Sequence, residues 1–541
     1  MGERAAAAAK GRAFDALAPW VAGVALALPV VVLRFPPMRD LPLHEVVVSV
    51  LRHWGDAGYF PPGLYVHSFG MPNQLFFFLA WPLSYVVSVP MACKLVAAAT
   101  IAAMPVVAAR FARSQGRPGW VGVLAAPVML GWLFVWGVIA NMIGLVLLFA
   151  ALPALDRWTL APSPRSAAKT LGVLVLLDLA HEEVLVVAWL FVAMVALVAR
   201  PPRAWLAWGS VVLSAGLALA QQLVIETLRT PESASNRSTY VFASLAQRFR
   251  VAPGMLFPGQ DAFTRGAAWL VVLAPIGWLL TARVRASPPL GGSGSLGERL
   301  VRARFALFAG LLVVGYLVLP YDAGNSHLIF HRFLPPAFVL LVTLAAPRTS
   351  EWEAPRVLSW VSLAAPLAAL AVVLPTSIEC DQMFRHFETL LPRIEPGSAL
   401  VALDTHSSGT ELLRGLDLQG HAVALRGGRT FFDYTQSPTS PALLAKRSQW
   451  NDSTRRLLHG EDFRPAWDLK RYRYVFVHIA RPEEIMSVRV ALAPEAHFVD
   501  SAGDWMLFES NILSVPIDAP DAPLPSPAPP SFAEKYAGAG R

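Results

Sequence analysis

The feature that most constrains this chain is a succession of apolar runs, each close to the length a helix needs to cross a bilayer. A crossing helix takes about 20 predominantly apolar residues, because the hydrocarbon core is about 30 Å thick. Such runs lie at residues 16–33, 90–109, 119–135, 141–155, 166–179, 183–198, 204–224, 266–280, 305–319, 333–346 and 357–374. They predict a mostly α, polytopic membrane bundle of about eleven spans over residues 1–375. Composition agrees: 55% of the 541 residues are hydrophobic and 15% charged, with a mean hydropathy of +0.48, which excludes an ordinary soluble protein. The net charge of +8 does not point to nucleic acid, since the basic residues are scattered through short connections rather than gathered into one stripe. Two cysteines, Cys93 and Cys380, make neither a zinc spacing nor a disulfide framework. The first run follows Arg4, Lys10 and Arg12, is long for a signal-peptide core, and reads as an uncleaved span.

Orientation follows from charge. The stretch 75–89 is short and interrupted by Pro82, and whether it spans sets the parity of everything after it. If it does not span, an N-terminus inside the cell places five basic connections in the cytoplasm. They carry Arg110, Arg113 and Arg117; Arg157, Arg165 and Lys169; Arg200 and Arg203; Arg283, Arg285, Arg299, Arg302 and Arg304; and Arg348 and Arg356. The exception is the loop with Arg229, Arg237, Arg248, Arg250 and Arg265, which this count leaves outside. The stretch 75–89 therefore reads as a re-entrant or interfacial helix. The N-terminus is then cytoplasmic, and the first outer loop, 35–71, shares the extracytoplasmic side with the chain after residue 375. There, strand-like runs at 399–403, 474–479 and 505–509 predict a small α/β domain over 376–510. The Pro- and Ala-rich tail, 511–541, is expected to be disordered.

Three groups of residues could carry chemistry. In the first outer loop, Asp40 and His44 are four apart, which on a helix puts them on one face, where a carboxylate could take a proton from an acceptor hydroxyl. The plainer alternative is that Asp40 caps the helix and His44 lies at the interface. A second group, Asp178, His181 and Glu182, has spacing for a shared face at an outer turn and is a candidate for binding an acceptor or a divalent metal; neighbouring Glu183 reads as a solvated cap. The third surrounds Arg332 at the start of a late span, with His327 and His331 nearby. A guanidinium stays charged and can hold a lipid-linked phosphate through two parallel hydrogen bonds, whereas an interfacial anchor would only snorkel to headgroups.

The first span, the acidic outer loop, the proline-bounded stretch, the many-helix bundle, the late Arg332-Phe333-Leu334-Pro335-Pro336 segment and the C-terminal outer domain together resemble the GT-C glycosyltransferases. That superfamily includes the protein O-mannosyltransferases, the aminoarabinose transferases and the Rgt-type bacterial enzymes. Asp40-Leu41-Pro42-Leu43-His44, Trp136-Gly137 with Asn141, His181 and the stretch 420–432 are similar to a poorly characterised bacterial branch of it. The resemblance implies an inverting transfer of a sugar from a polyprenyl-phosphate donor to an envelope acceptor at the outer face of a bacterial inner (plasma) membrane. Asp40 would match the catalytic aspartate of the first loop and Arg332 the basic residue near the donor phosphate. His44, Glu45, Asn141, His327 and His331 would be donor or acceptor contacts. Many members carry a second acid after the third span, often tied to a metal; residues 132–144 here contain no Asp or Glu, and Asn141 stands where one would be sought. Two rivals stay open: a transporter with Asp178, His181 and Glu182 along its path, and an inactive envelope protein that binds lipid or a partner.

Overall fold

The computed structural model describes residues 2–228, 240–257, 262–286, 295–323, 328–349, 356–404, 417–431, 433–445, 463–479, 481–517 and 528–539. Its contacts divide the chain into two compact units, one of residues 1–32, 97–224 and 237–376, the other of residues 33–96, 225–236 and 377–541.

The first unit is the helical bundle. Among the described residues, seven helices are long and apolar enough to cross a membrane, at Asp15–Val32, Val89–Ser114, Ile139–Leu160, Glu182–Ala199, Ala204–Thr227, Leu296–Val318 and Trp360–Arg393. Pro164–Ala180 and Ala262–Ala286 are further helices in the expected places. The helices pack closely where side chains are smallest. A Cβ on Gly23 would sit 2.2 Å from the Ala102 carbonyl oxygen, so two backbones touch there.

Two expected spans take a different form. The run 119–135 is broken into Trp120–Val123, a 3-10 turn at Ala126–Leu130 and Trp132–Trp136. Pro127 lacks the amide a continuous helix needs, and Gly131 leaves helical geometry at ψ −145°. The run 333–346 forms a helix of 12 residues, Leu334–Ala345, which at 1.5 Å per residue extends only about 18 Å.

Several loop charges are engaged inside this unit. Arg304 makes a two-pronged pair with Asp156 (2.5 and 2.8 Å), and Arg113 lies 3.4 Å from Asp15. Arg248 is almost fully buried. It donates to the carbonyls of Tyr316 and Leu319, the latter at 2.6 Å, at the end of Leu296–Val318, and its guanidinium lies 4.2 Å from the centre of the Phe330 ring.

The second unit joins the first outer loop to the C-terminal chain. Its sheet has four strands in the order Leu400–Asp404, Tyr474–His478, Trp505–Ser510, Ala496–Ala502; the first pair is parallel and the others antiparallel. The three strands expected from sequence are present, and the edge strand Ala496–Ala502 is additional. Its polar His497, Asp500 and Ser501 hide it from a search for apolar runs, as suits a strand paired on one side only. One face packs on a core that includes Val401, Phe463, Val475, Val477, Val488 and Phe508. On the other, Phe387 is fully buried against Phe476 and Trp505 (ring centres 4.4 and 5.1 Å), a burial that contributes roughly 2–3 kcal/mol.

Within the tail expected to be disordered, Phe532–Ala539 is helical. Phe532 supplies the apolar anchor, only 5% exposed in the domain core, and Ser531 and Glu534 cap the helix reciprocally.

The first outer loop is not a free excursion. Leu41–Arg52 forms a helix with almost every side chain buried, packed along the helix Leu418–Arg426. A Cβ on Gly420 would lie 2.6 Å from the Pro42 carbonyl oxygen, so this approach requires glycine. Further along, Tyr65–His67 pairs antiparallel with Ala442–Leu444, and Gln74 donates to the carbonyls of Ser68 (2.6 Å) and Thr439 (2.9 Å). Stretch 75–89 contains only a nine-residue helix, Leu75–Leu83, too short to cross a bilayer.

Candidate functional site

In the second unit, Asp40 stands at the N-cap position of Leu41–Arg52, but its side chain makes no capping hydrogen bond. Its Oδ2 instead accepts from the Tyr434 hydroxyl at 2.5 Å. His44, one turn on and buried, packs its ring against Tyr434 (4.5 Å between centres), Phe76 (4.8 Å) and Phe77 (5.5 Å). Asp40 and His44 thus share one helical face, and Tyr434 meets both. The plain capping alternative for Asp40 does not describe this geometry.

A second carboxyl belongs to the same neighbourhood. Asp417 precedes the helix Leu418–Arg426, is 7% exposed and accepts from Gln419 at 3.0 Å. Burial pushes its carboxyl up to about 7, with Arg39 holding it back and the Asp40 charge adding to the rise. Near neutral pH, Asp417 therefore holds its proton part of the time. Neither Tyr434 nor Asp417 was picked out by spacing, for each lies almost 400 positions from Asp40.

Glu45, expected to contact substrate, is 3% exposed and turned into the interior. Its Oε2 lies 2.6 Å from His421 Nδ1, while His421 Nε2 lies 4.0 Å from Glu388 Oε1. Glu388 is in turn gripped by both sides of the Arg34 guanidinium, with the Nε contact at 3.0 Å. Burial alone would lower the His421 imidazolium, but Glu45 and Glu388 overcome it and raise the pKa to about 9. The chain Arg34–Glu388–His421–Glu45 is an array of alternating charge, partly exposed at Arg34 and Glu388 and buried at His421 and Glu45, that fastens the first-loop helix.

The remaining candidates lie in the first unit. Arg332 lies 2.9 Å from Glu183 Oε1 and 3.0 Å from His181 Nε2. Glu183, expected to be a solvated cap, is instead the partly buried counter-charge of Arg332. His181 Nδ1 also faces the Glu183 amide at 3.2 Å. A neutral imidazole accepts at one nitrogen only, so these two donors compete for it. Asn141, Glu183 and Arg332 line a water-sized cavity with Phe333 and Pro336. His331 is buried between the rings of Phe330 (4.2 Å) and Trp132 (5.4 Å). His327 lies outside the described residues.

Asp178, His181 and Glu182 do not form a metal-ligand set. Asp178 is buried beside Gln221, Glu182 accepts from Gln222 at 3.2 Å, and His181 presents Nε2 to a guanidinium, which would repel a second cation. Among the described residues no three His, Cys, Asp or Glu converge as metal ligands.

Among solved structures, that of ArnT from Cupriavidus metallidurans in the apo state superposes with a TM-score of 0.52 over 94% of this chain and 99% of its own, at 11% identity. The fold is shared with ArnT. The chain is therefore a polytopic, mostly α membrane protein with the fold of ArnT and a small α/β C-terminal domain. The same ArnT bound to undecaprenyl phosphate gives a TM-score of 0.48 at 10% identity, over 90% of this chain and 96% of that one. The archaeal oligosaccharyltransferase AglB from Archaeoglobus fulgidus, in complex with an inhibitory peptide and a dolichol-phosphate, gives 0.35 at 10% identity, over 85% and 69%. No family model matches the sequence, and no curated protein matches it.

Proposed function

We propose that this protein is an inverting glycosyltransferase of the bacterial inner membrane, moving a sugar from a polyprenyl-phosphate donor to an envelope acceptor at the outer face. The observation that carries the reading is Asp40, a partly exposed carboxylate on the first-loop helix of an ArnT-like fold, held by a hydroxyl rather than spent on capping. A carboxylate so placed can accept a proton from an acceptor hydroxyl. The acceptor oxygen then forms a bond to the anomeric carbon, the bond from that carbon to the phosphate oxygen breaks, and the lipid phosphate leaves with the electron pair. Arg332, in the first unit, is proposed separately as a phosphate contact, since a guanidinium there can offset negative charge. The donor class is supported by the ArnT structure solved with undecaprenyl phosphate.

The five basic connections support a cytoplasmic N-terminus and an outer C-terminal domain. Arg248 does not weigh against this, because a guanidinium spent on the carbonyls that end a helix is a structural group and not a loop charge. Comparing envelope glycolipids and glycoproteins from cells with and without the gene tests the function. One glycan that disappears and returns on complementation supports it; an unchanged glycan inventory with a lost solute flux in proteoliposomes would replace it with a transporter.

A further inference from the structure

We infer that Tyr434, from the C-terminal part of the chain, is a positioning residue that orients the Asp40 carboxylate and keeps it ionised. The inference rests on the reading of Asp40 as the proton acceptor. A phenol donating to a carboxylate oxygen favours the charged form, and at 2.5 Å the bond is of the short, charge-assisted kind.

The hydroxyl is fixed where it must be. Tyr434 begins a 3-10 turn, Tyr434–Gln436, whose N-cap Asp433 accepts from the Thr435 amide at 2.7 Å and from the Thr435 hydroxyl. Gln436 closes the turn by donating to the Phe431 carbonyl at 2.9 Å. The ring itself lies against His44, which also packs on Phe76 and Phe77. The turn's hydrogen bonds and the packed rings together restrict the phenol, which lowers the entropic cost of reaching Asp40.

The donor acts among several charged and titratable groups. Arg39 and His44 stand on the same segment as Asp40, Asp417 faces it from the start of the helix Leu418–Arg426, and Tyr434 faces it from the turn. Two carboxyls in one neighbourhood compete for one proton. Burial raises the Asp417 carboxyl to about 7, while the Tyr434 hydroxyl donates to Asp40 and so favours its charged form.

The test reads the carboxyl directly. Infrared difference spectra between the full-length protein and its Asp40→Asn variant, both carrying Asp417→Asn to remove the second titration, report Asp40 protonation as pH is varied. Tyr434→Phe keeps the ring on His44 but removes the donor, and should raise the Asp40 midpoint by about one pH unit. Replacing Tyr434 with 3-fluorotyrosine, a stronger donor of almost the same shape, should lower it. An unmoved midpoint in both would overturn the inference. Transfer assays in membranes with radiolabelled lipid-linked sugars separate this from the function itself: a fully active Asp40→Asn protein would refute the base, whatever the infrared midpoints show. With the base established, Tyr434→Phe should shift the acid limb of kcat/KM upward by the same amount and leave the donor KM unchanged.

Discussion

Raising the pH should loosen the first-loop helix in a definite window, and the cause is a single imidazole. His421 has a pKa of about 9 in the folded protein against an ordinary value of 6.5, since Glu45 and Glu388 more than offset its burial. A folded-state pKa raised above the unfolded one stabilises the fold fully below pH 6.5, and that contribution is lost as the pH climbs through 9. The difference corresponds to about 3 kcal/mol, and the side chain is only 2% exposed, so solvent screens it little. Tryptophan fluorescence of the purified protein in detergent, followed through thermal unfolding at a series of pH values, reads this as a falling transition between pH 6.5 and 9. Glu45→Gln keeps the shape but removes the charge, so it should flatten the dependence. A native transition that is level or rising over that window would refute the reasoning.

Further predictions concern the first unit and the topology. Arg332→Ala should lower folded abundance as well as transfer, because it strands the partly buried Glu183; Arg332→Ala with Glu183→Gln should recover abundance on immunoblots but not transfer. If Arg332 grips phosphate through its planar fork, Arg332→Lys should reduce transfer at equal membrane-inserted protein when donor is varied, and native donor dependence would reduce it to an anchor. With Cys93 and Cys380 replaced, single cysteines at positions 117 and 295 should resist an impermeant thiol reagent in intact cells, while one at 407 should be labelled. Labelling at 295 would refute the eleven-span count.

What could be read in advance divides along physical lines. The membrane spans were legible because a run such as 141–155 carries its own local signal, and it forms one helix, Ile139–Leu160. The run 119–135 carried the same apolar signal, yet Pro127 and Gly131 broke it, since hydropathy counts side chains and ignores missing amides. Asp40 and His44 were legible through their spacing of four. The partners that define their environment were not, because Asp40 and Tyr434 are 394 positions apart and Glu45 and His421 are 376 apart. No periodicity reaches that far. Glu183 was misjudged for the same reason: a glutamate at the start of a span looks solvated until its distant counter-charge, Arg332, is known.

The most direct test of the central claim is the transfer rate of Asp40→Asn in membranes whose lipid-linked sugars are radiolabelled, measured at equal inserted protein. Asparagine keeps the size of the side chain but cannot accept the proton, and the rate should fall by a factor on the order of 100 to 10,000, with insertion unchanged. Transfer at the native rate would contradict the account and leave Asp40 a surface carboxylate held by a tyrosine.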